Sequence, residues 1–289
     1  MRRQKTFVET KPTLYLVATP IGHLDDISKR ALDTLKQAQV IYAEDTRTSA
    51  KLLKHYAIDT PLKSFHKFNE TARLEGILND LKHSASVCLI SDAGSPLISD
   101  PGENLIKAIK SKGYHISAIP GPTALIPAVS LSEIATHPFL FYGFLPQKNT
   151  ARTKVLKTLA SQSFTLIFYE APHRLHATLK NMYEVFGARK LTIARELTKM
   201  YEEIIETSLD AYDKIPILKG EIVLIIEGAQ ALDDLSQEDM IEHVKLLIED
   251  GLSEMDAIKK VAKLRSLKKN VVYMAYQRYK QNNQENNQE

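Results

Sequence analysis

The chain has 289 residues, 44% of them hydrophobic and 25% charged, with a formal net charge of +3. That balance supplies apolar material for two domains and excludes disorder as the ruling state, while a charge so small does not specify a nucleic-acid partner. The single cysteine, Cys88, sits in the apolar run 87–90, which excludes an intrachain disulfide framework and reads as a small buried hydrophobe.

In chain order, Arg2, Arg3 and Lys5 are basic, but the apolar stretch 14–18 is too short for an export signal and runs into Pro20. No run approaches the roughly 18 apolar residues a membrane span needs, so the expectation is a cytoplasmic enzyme or binding protein. Strand-like runs then alternate with amphipathic stretches: 13–19 with 27–36, 40–43 with 50–55, 86–91 with 104–112, and 115–119 with 123–130. This order predicts βαβα units, a mainly parallel sheet covered by helices, and ligand loops at the carboxyl ends of strands. After Phe139–Gly143 the pattern resumes with strands at 164–169, 190–194 and 221–226 and helices at 150–161 and 174–186. From Asp233 onward the periodicity is helical, over 237–250, 253–265 and 269–280, with breaks at Gly251 and Ser266. The tail 281–289 is rich in Gln and Asn, lacks apolar residues, and is expected to be disordered. The expected organisation is an α/β domain over 1–125, a second α/β domain over 126–232, a helical appendage over 233–280 and a tail over 281–289.

Charge is unevenly spread along the appendage. Residues 251–280 hold eight lysines and arginines against two acids, whereas 233–250 hold seven acids and one lysine. A solvated helix face and an RNA-contacting face both account for this.

The densest cluster of turn-forming and polar residues is Ser91, Asp92, Ala93, Gly94, Ser95, Pro96, Leu97, Ile98, Ser99, Asp100, Pro101 and Gly102, directly after a strand. It can hold a polar ligand through backbone and short side chains, or be a capped strand-to-helix turn. The loop Pro120, Gly121, Pro122, Thr123, Ala124 follows the next strand and, by itself, reads as a helix start. Glu44 and Asp45 end the second strand, beside Arg47. A carboxylate there can act as a general base or bind a ribose hydroxyl and the arginine can meet a phosphate, with a helix cap as the competing account. His173 and His176 lack a third metal ligand at a sensible spacing, so no metal is expected. Neither a dinucleotide fingerprint nor a P-loop occurs after any strand.

Taken together, 14–22, 43–47, 91–102, Pro120–Gly121–Pro122, Gly143–Phe144–Leu145–Pro146, Phe168–Tyr169–Glu170, Pro172–His173–Arg174 and 194–199 resemble the bacterial ribosomal RNA small subunit methyltransferase I family, within the tetrapyrrole (corrin/porphyrin) methylase superfamily. The resemblance spans roughly residues 12–228, with His23, Ser95 and Glu133 departing from the residues common there. It implies two α/β domains of the tetrapyrrole methylase type with a cleft between them, a homodimer, S-adenosylmethionine as methyl donor, and methylation of a cytidine ribose 2′-hydroxyl in the decoding region of 16S rRNA within the small ribosomal subunit. By the same resemblance the donor site falls on Pro20, Asp92, Ala93, Gly94, Ser95, Pro96, Ile98, Ser99, Asp100, Pro120, Gly121, Pro122, Thr123, Ala124, Tyr169, Glu170, Leu197, Gly220 and Glu221. The C-terminal helices resemble a helix-turn-helix-like module for RNA or ribosome contact.

Alignment of donor and ribose oxygen is expected to dominate catalysis, with a base, if used, among Glu44, Asp45 and Asp100 and with Glu170 behind them. Arg47, His173, Arg174, Arg195, Lys199, Lys268 and Lys269 are the expected RNA contacts, intramolecular pairing being the competing role. A porphyrinoid methylase, a protein-directed diphthamide-type methylase and a non-catalytic RNA adaptor are the alternatives. The first two give no reason for a basic appendage, and the third predicts RNA affinity without donor affinity.

Overall fold

The computed structural model describes residues 3–6, 8–65, 70–98, 103–229, 237–265 and 267–285. The backbone divides into two compact units, Met1–Gly228 and Ala229–Glu289.

The first unit holds strands β1 (Thr13–Val17), β2 (Val40–Ala43), β3 (Leu62–Ser64), β4 (Ser86–Ile90), β5 (His115–Ile119), β6 (Phe139–Phe144), β7 (Thr165–Glu170), β8 (Lys190–Arg195), β9 (Glu203–Ser208) and β10 (Ile222–Ile226). Its helices are α1 (Lys29–Gln37), α2 (Thr46–His55), α3 (Glu70–His83), α4 (Glu103–Ser111), α5 (Leu125–Ser130), α6 (Asn149–Leu159) and α7 (Leu175–Phe186). Two five-stranded sheets result, in the orders β3-β2-β4-β1-β5 and β6-β7-β10-β8-β9.

The first sheet is parallel throughout. Its strands read as nearly continuous apolar runs because both faces are covered. On one face Val17, Ile41, Cys88, Ile90 and Ile119 pack with Ala31 and Leu35 of α1 and Leu53 of α2. On the other, Leu14, Val40, Tyr42, Val87 and Leu89 pack with Ile77 and Leu81 of α3 and Leu105 and Ile109 of α4. Cys88 is fully buried, and burial pushes its thiol up to about 12, so it is an inert core residue.

The second sheet departs from the parallel expectation. Only β6 and β7 pair in parallel; β10 pairs antiparallel with both β7 and β8, and β8 antiparallel with β9. No helix crosses over between β8 and β9, and only the 3-10 segment Leu209–Lys214 follows β9, so the chain reverses instead of returning in parallel. Leu166, Phe168, Leu191, Ile193 and Leu224 pack against α6 and α7 on one face. On the other, Ile167, Ala194, Val223 and Ile225 pack with Ala128 and Val129 of α5 and with Ile21 from the loop after β1. That second cluster joins the two sheets.

The second unit is a three-helix assembly of α8 (Gln237–Glu249), α9 (Glu254–Leu264) and α10 (Lys269–Glu285). Val244, Ala257, Ile258, Val261 and Val272 form its fully buried centre. Ser253 caps α9, its hydroxyl accepting from the Asp256 amide at 3.2 Å, and Lys280 of α10 pairs with Glu254 of α9 at 2.9 Å. α10 continues to Glu285, five residues into the stretch expected to be disordered. Gln and Glu are fair helix formers, and extending an existing helix costs far less than nucleating one. Residues 286–289 lie outside the described residues. Among the described residues, no helix is long and apolar enough to cross a membrane.

Candidate active site

A cleft of about 390 Å³ opens between the two sheets of the first unit. From the first sheet it is lined at the carboxyl ends of parallel strands: Ile21 after β1, Glu44 after β2, Ser91 to Ser95 and Ile98 after β4, Thr123 and Ala124 after β5. From the second come Phe144 at the end of β6, Tyr169 to Pro172 around the end of β7, Ala194 and Leu197 around the end of β8, and Gly220 to Val223 at the start of antiparallel β10. Strand ends of this kind are where open α/β sheets bind ligands.

The loops are braced from within. The Thr19 amide donates to the Gly94 carbonyl at 2.9 Å, the Gly94 amide returns a bond to the Thr19 carbonyl at 3.0 Å, and the Thr19 hydroxyl donates to the Ser91 carbonyl at 3.0 Å. The loop after β1 also meets the loop after β8, where the His23 amide donates to Thr198 Oγ1 at 3.1 Å. Gly22 makes this approach possible, because a Cβ there would collide with Lys199 Cγ and stand 2.7 Å from Thr198 Oγ1.

Glu44 lines the cleft and Asp45 does not. Asp45 caps α2: its carboxylate accepts from the Arg47 amide at 2.8 Å and pairs with the Arg47 guanidinium at 2.8 Å. The Arg47 side chain and then its amide hold the Asp45 carboxyl down at about 2, which makes it a poor proton acceptor near neutrality. The Asp45 amide donates to Asp92 Oδ1 at 3.0 Å, tying the loop after β2 to the loop after β4. Glu170 is buried and held by three neighbours. It accepts from the Thr178 hydroxyl at 2.5 Å and the Ala171 amide at 2.8 Å, and lies 3.3 Å from Arg174 Nε.

The model for Tetrapyrrole (Corrin/Porphyrin) Methylases matches residues 13–213. Over 288 residues the chain is 40% identical to "Ribosomal RNA small subunit methyltransferase I" of Bacillus subtilis (strain 168), covering 96% of this chain and 98% of that protein. The chain belongs to the ribosomal RNA small subunit methyltransferase I family. The Synechocystis member (strain ATCC 27184 / PCC 6803 / Kazusa) is 42% identical, covering 90% of this chain and 95% of its own length. Among solved structures, uroporphyrin-III C-methyl transferase of Thermus thermophilus complexed with S-adenyl homocysteine superposes with a TM-score of 0.55 at 16% identity, over 74% of this chain and 96% of its own, a likeness of fold.

Of the donor residues that the family resemblance implied, Asp92, Ala93, Gly94, Ser95, Ile98, Thr123, Ala124, Tyr169, Glu170, Leu197, Gly220 and Glu221 line one cleft. Pro20, Pro96, Pro120, Gly121 and Pro122 lie in the same loops without lining it, and Ser99 and Asp100 fall outside the described residues. Ile21, Ser91, Phe144, Ala171, Pro172, Ala194, Ile222 and Val223 also line it and were not among those donor residues. Strand-end position was the available signal for Ala194 and Phe144.

The expected RNA contacts divide in two. Arg47, His173, Lys268 and Lys269 are exposed, Arg47 while paired with Asp45 of its own helix cap. The others are engaged within the protein. Arg174 donates to the Leu145 carbonyl at 2.8 Å beside Glu170, and Arg195 donates to the Lys219 carbonyl and to Glu203, both at 2.7 Å. Lys199 bridges Glu196 at 2.8 Å and Glu221 at 3.1 Å. For these three the intramolecular role left open by the sequence is the observed one, since a long basic side chain near the end of one strand finds a carboxylate or carbonyl of its neighbours.

Proposed function

We propose that this methyltransferase moves the methyl group of S-adenosylmethionine to the ribose 2′-hydroxyl of a cytidine in the decoding region of 16S rRNA. It works in the cytoplasm, as a homodimer, on the small ribosomal subunit. The observation that carries this reading is the near-full-length likeness to relatives named for methylating small-subunit ribosomal RNA. In it, residues 1–125 and 126–232 are the two walls of the cleft, and residues 233–280 contact RNA.

The cleft fits the donor. Its 390 Å³ falls within the roughly 300–1,000 Å³ of small-molecule sites. Ile21, Ala194, Leu197 and Val223 give an apolar wall, while Glu44, Asp92 and Glu221 bring carboxylates that complement a cationic ligand. When bound, the donor supplies a methyl group made electrophilic by a positively charged sulfur. The protein's part is then to fix the approach of the ribose oxygen and keep water away, and such positioning is worth roughly 7–11 kcal/mol of barrier. A base adds roughly 10²- to 10⁴-fold. Of the carboxylates weighed for that role, Glu44 and Glu170 both line the cleft, Glu170 being held by the Thr178 hydroxyl and lying beside Arg174; Asp45 is paired with Arg47, and Asp100 lies outside the described residues.

The test incubates the purified protein with methyl-labelled S-adenosylmethionine and small ribosomal subunits from cells lacking the enzyme, then maps the label by nuclease digestion and chromatography. Label on a cytidine 2′-oxygen of 16S rRNA is expected. Donor binding without RNA label, together with porphyrin binding, would move the reading to a small-molecule methylase. Light scattering of the free protein checks the homodimer.

A further inference from the structure

β6 is an edge strand of the second sheet, and its register against β7 slips by one residue. Phe141 stands opposite Ile167, Gly143 opposite Phe168 and Phe144 opposite Tyr169, so Tyr142 is extra. Ile167 and Tyr169 belong to the face that packs toward α5 and the loop after β1, and Phe168 to the face under α6 and α7. Side chains alternate along a strand, so a regular β6 would put residues 141 and 143 on the cleft face and turn residue 144 away. The bulge reverses this and aims Phe144 into the cleft. Gly143 carries the bulge at a φ of +81°, a backbone setting that any other residue enters only under strain.

Phe144 lines the cleft and is still 52% exposed. Its ring meets Tyr169 edge-on at 5.6 Å, and Tyr169 meets Phe141 edge-on at 4.9 Å, so the exposed ring is backed by a row of aromatics. What the cleft therefore presents at this point is one face of an aromatic ring, fixed from behind and open to a ligand. Resting on the RNA reading above, we propose that Phe144 is the surface on which the base of the target nucleotide stacks while its ribose enters the cleft. RNA recognition commonly splays a base out of its strand, and a base that leaves its neighbours as its ribose enters the cleft recovers the lost stacking on an aromatic face.

The experiment compares wild type with Phe144→Leu and Phe144→Trp, measuring kcat/KM for small subunits from cells lacking the enzyme and, by calorimetry, Kd for S-adenosylmethionine. Leucine keeps apolar volume without the π face, so kcat/KM should fall roughly 5- to 150-fold, the worth of one base–aromatic stack, with the donor Kd changed less than about twofold. Tryptophan should restore most of the loss. An unaffected leucine variant, a parallel loss of donor affinity, or no rescue by tryptophan would each overturn the proposal. If the wild type itself puts no label on 16S rRNA, the RNA reading fails and takes this inference with it; a labelling wild type beside an unaffected leucine variant defeats the inference alone.

Discussion

Removing the Glu170 carboxylate tests whether it anchors the cleft wall or takes part in the reaction. The Glu170 side chain is 1% exposed and that of Arg174 15%. Glu170→Ala leaves the Thr178 hydroxyl, the Ala171 amide and the Arg174 guanidinium without their carboxylate. Breaking a buried charge pair by deleting one partner costs about 3–5 kcal/mol. In a unit of this size that lowers Tm by roughly 6–20 °C, at about 2–4 °C per kcal/mol. Thr178→Val removes one hydrogen bond to the same carboxylate, which is worth about 1.5–3 kcal/mol, and should leave single-turnover methylation of the folded protein near the wild-type rate. Thermal unfolding by circular dichroism, paired with single-turnover assays well below Tm, reads both. The anchor argument is refuted if Glu170→Gln unfolds with the wild type yet methylates roughly 10²- to 10⁴-fold more slowly, because that is the signature of a lost general base.

Asp45→Asn keeps a capping oxygen and loses the charge that Arg47 holds. Because the folded carboxyl lies at about 2 against an ordinary 3.8, wild type should be the more stable above pH 3.8 and lose that advantage as pH falls toward 2, read as urea midpoints across the window. A difference that persists at the acid end would show that the Arg47 pairing is not its cause. Gly22→Ala drives a methyl group against Thr198 and Lys199 and should cost about 1–3 kcal/mol by overpacking; a denaturation midpoint equal to wild type would mean the two loops separate freely. Lys268→Gln with Lys269→Gln, both exposed, should weaken RNA binding and lower the slope of log K against log salt by about 0.7–0.9 for each phosphate left without its lysine; an unchanged slope removes these lysines from the RNA path.

The elements that were easy to read are the ones buried on both faces. β4, with four of its five residues buried, and β10, buried throughout, are apolar runs with sharp borders. β3 and β9 escaped detection for the opposite reason: each closes an edge of its sheet and is at most half-buried. Edge strands carry polar residues because an exposed apolar edge invites aggregation, and that blurs the signal. α3 was missed although Leu74, Ile77, Leu78 and Leu81 follow helical spacing, since Gly76 interrupts it. A Cβ at Gly76 would touch the Tyr42 hydroxyl at 3.4 Å, and the same hydroxyl donates to Asp80 of α3 at 2.6 Å.

The cleft was legible at most of the loops that follow a strand. Glu44, the loop from Ser91, Thr123 and Ala124, and Tyr169 all stand just past or at strand ends that the sequence marks clearly. What breaks the rule is β10. It runs against its neighbours, so it presents its beginning where β7 and β8 present their ends. Ile222 and Val223 therefore reach the cleft from inside an apolar strand and carry no turn or polar signature of their own. The bulge at Tyr142 is hidden for a related reason, because in Phe139–Phe144 the aromatic residues leave no polar alternation from which to count faces. Both omissions come from pairing partners distant in sequence, which is where a strand's direction and phase are decided.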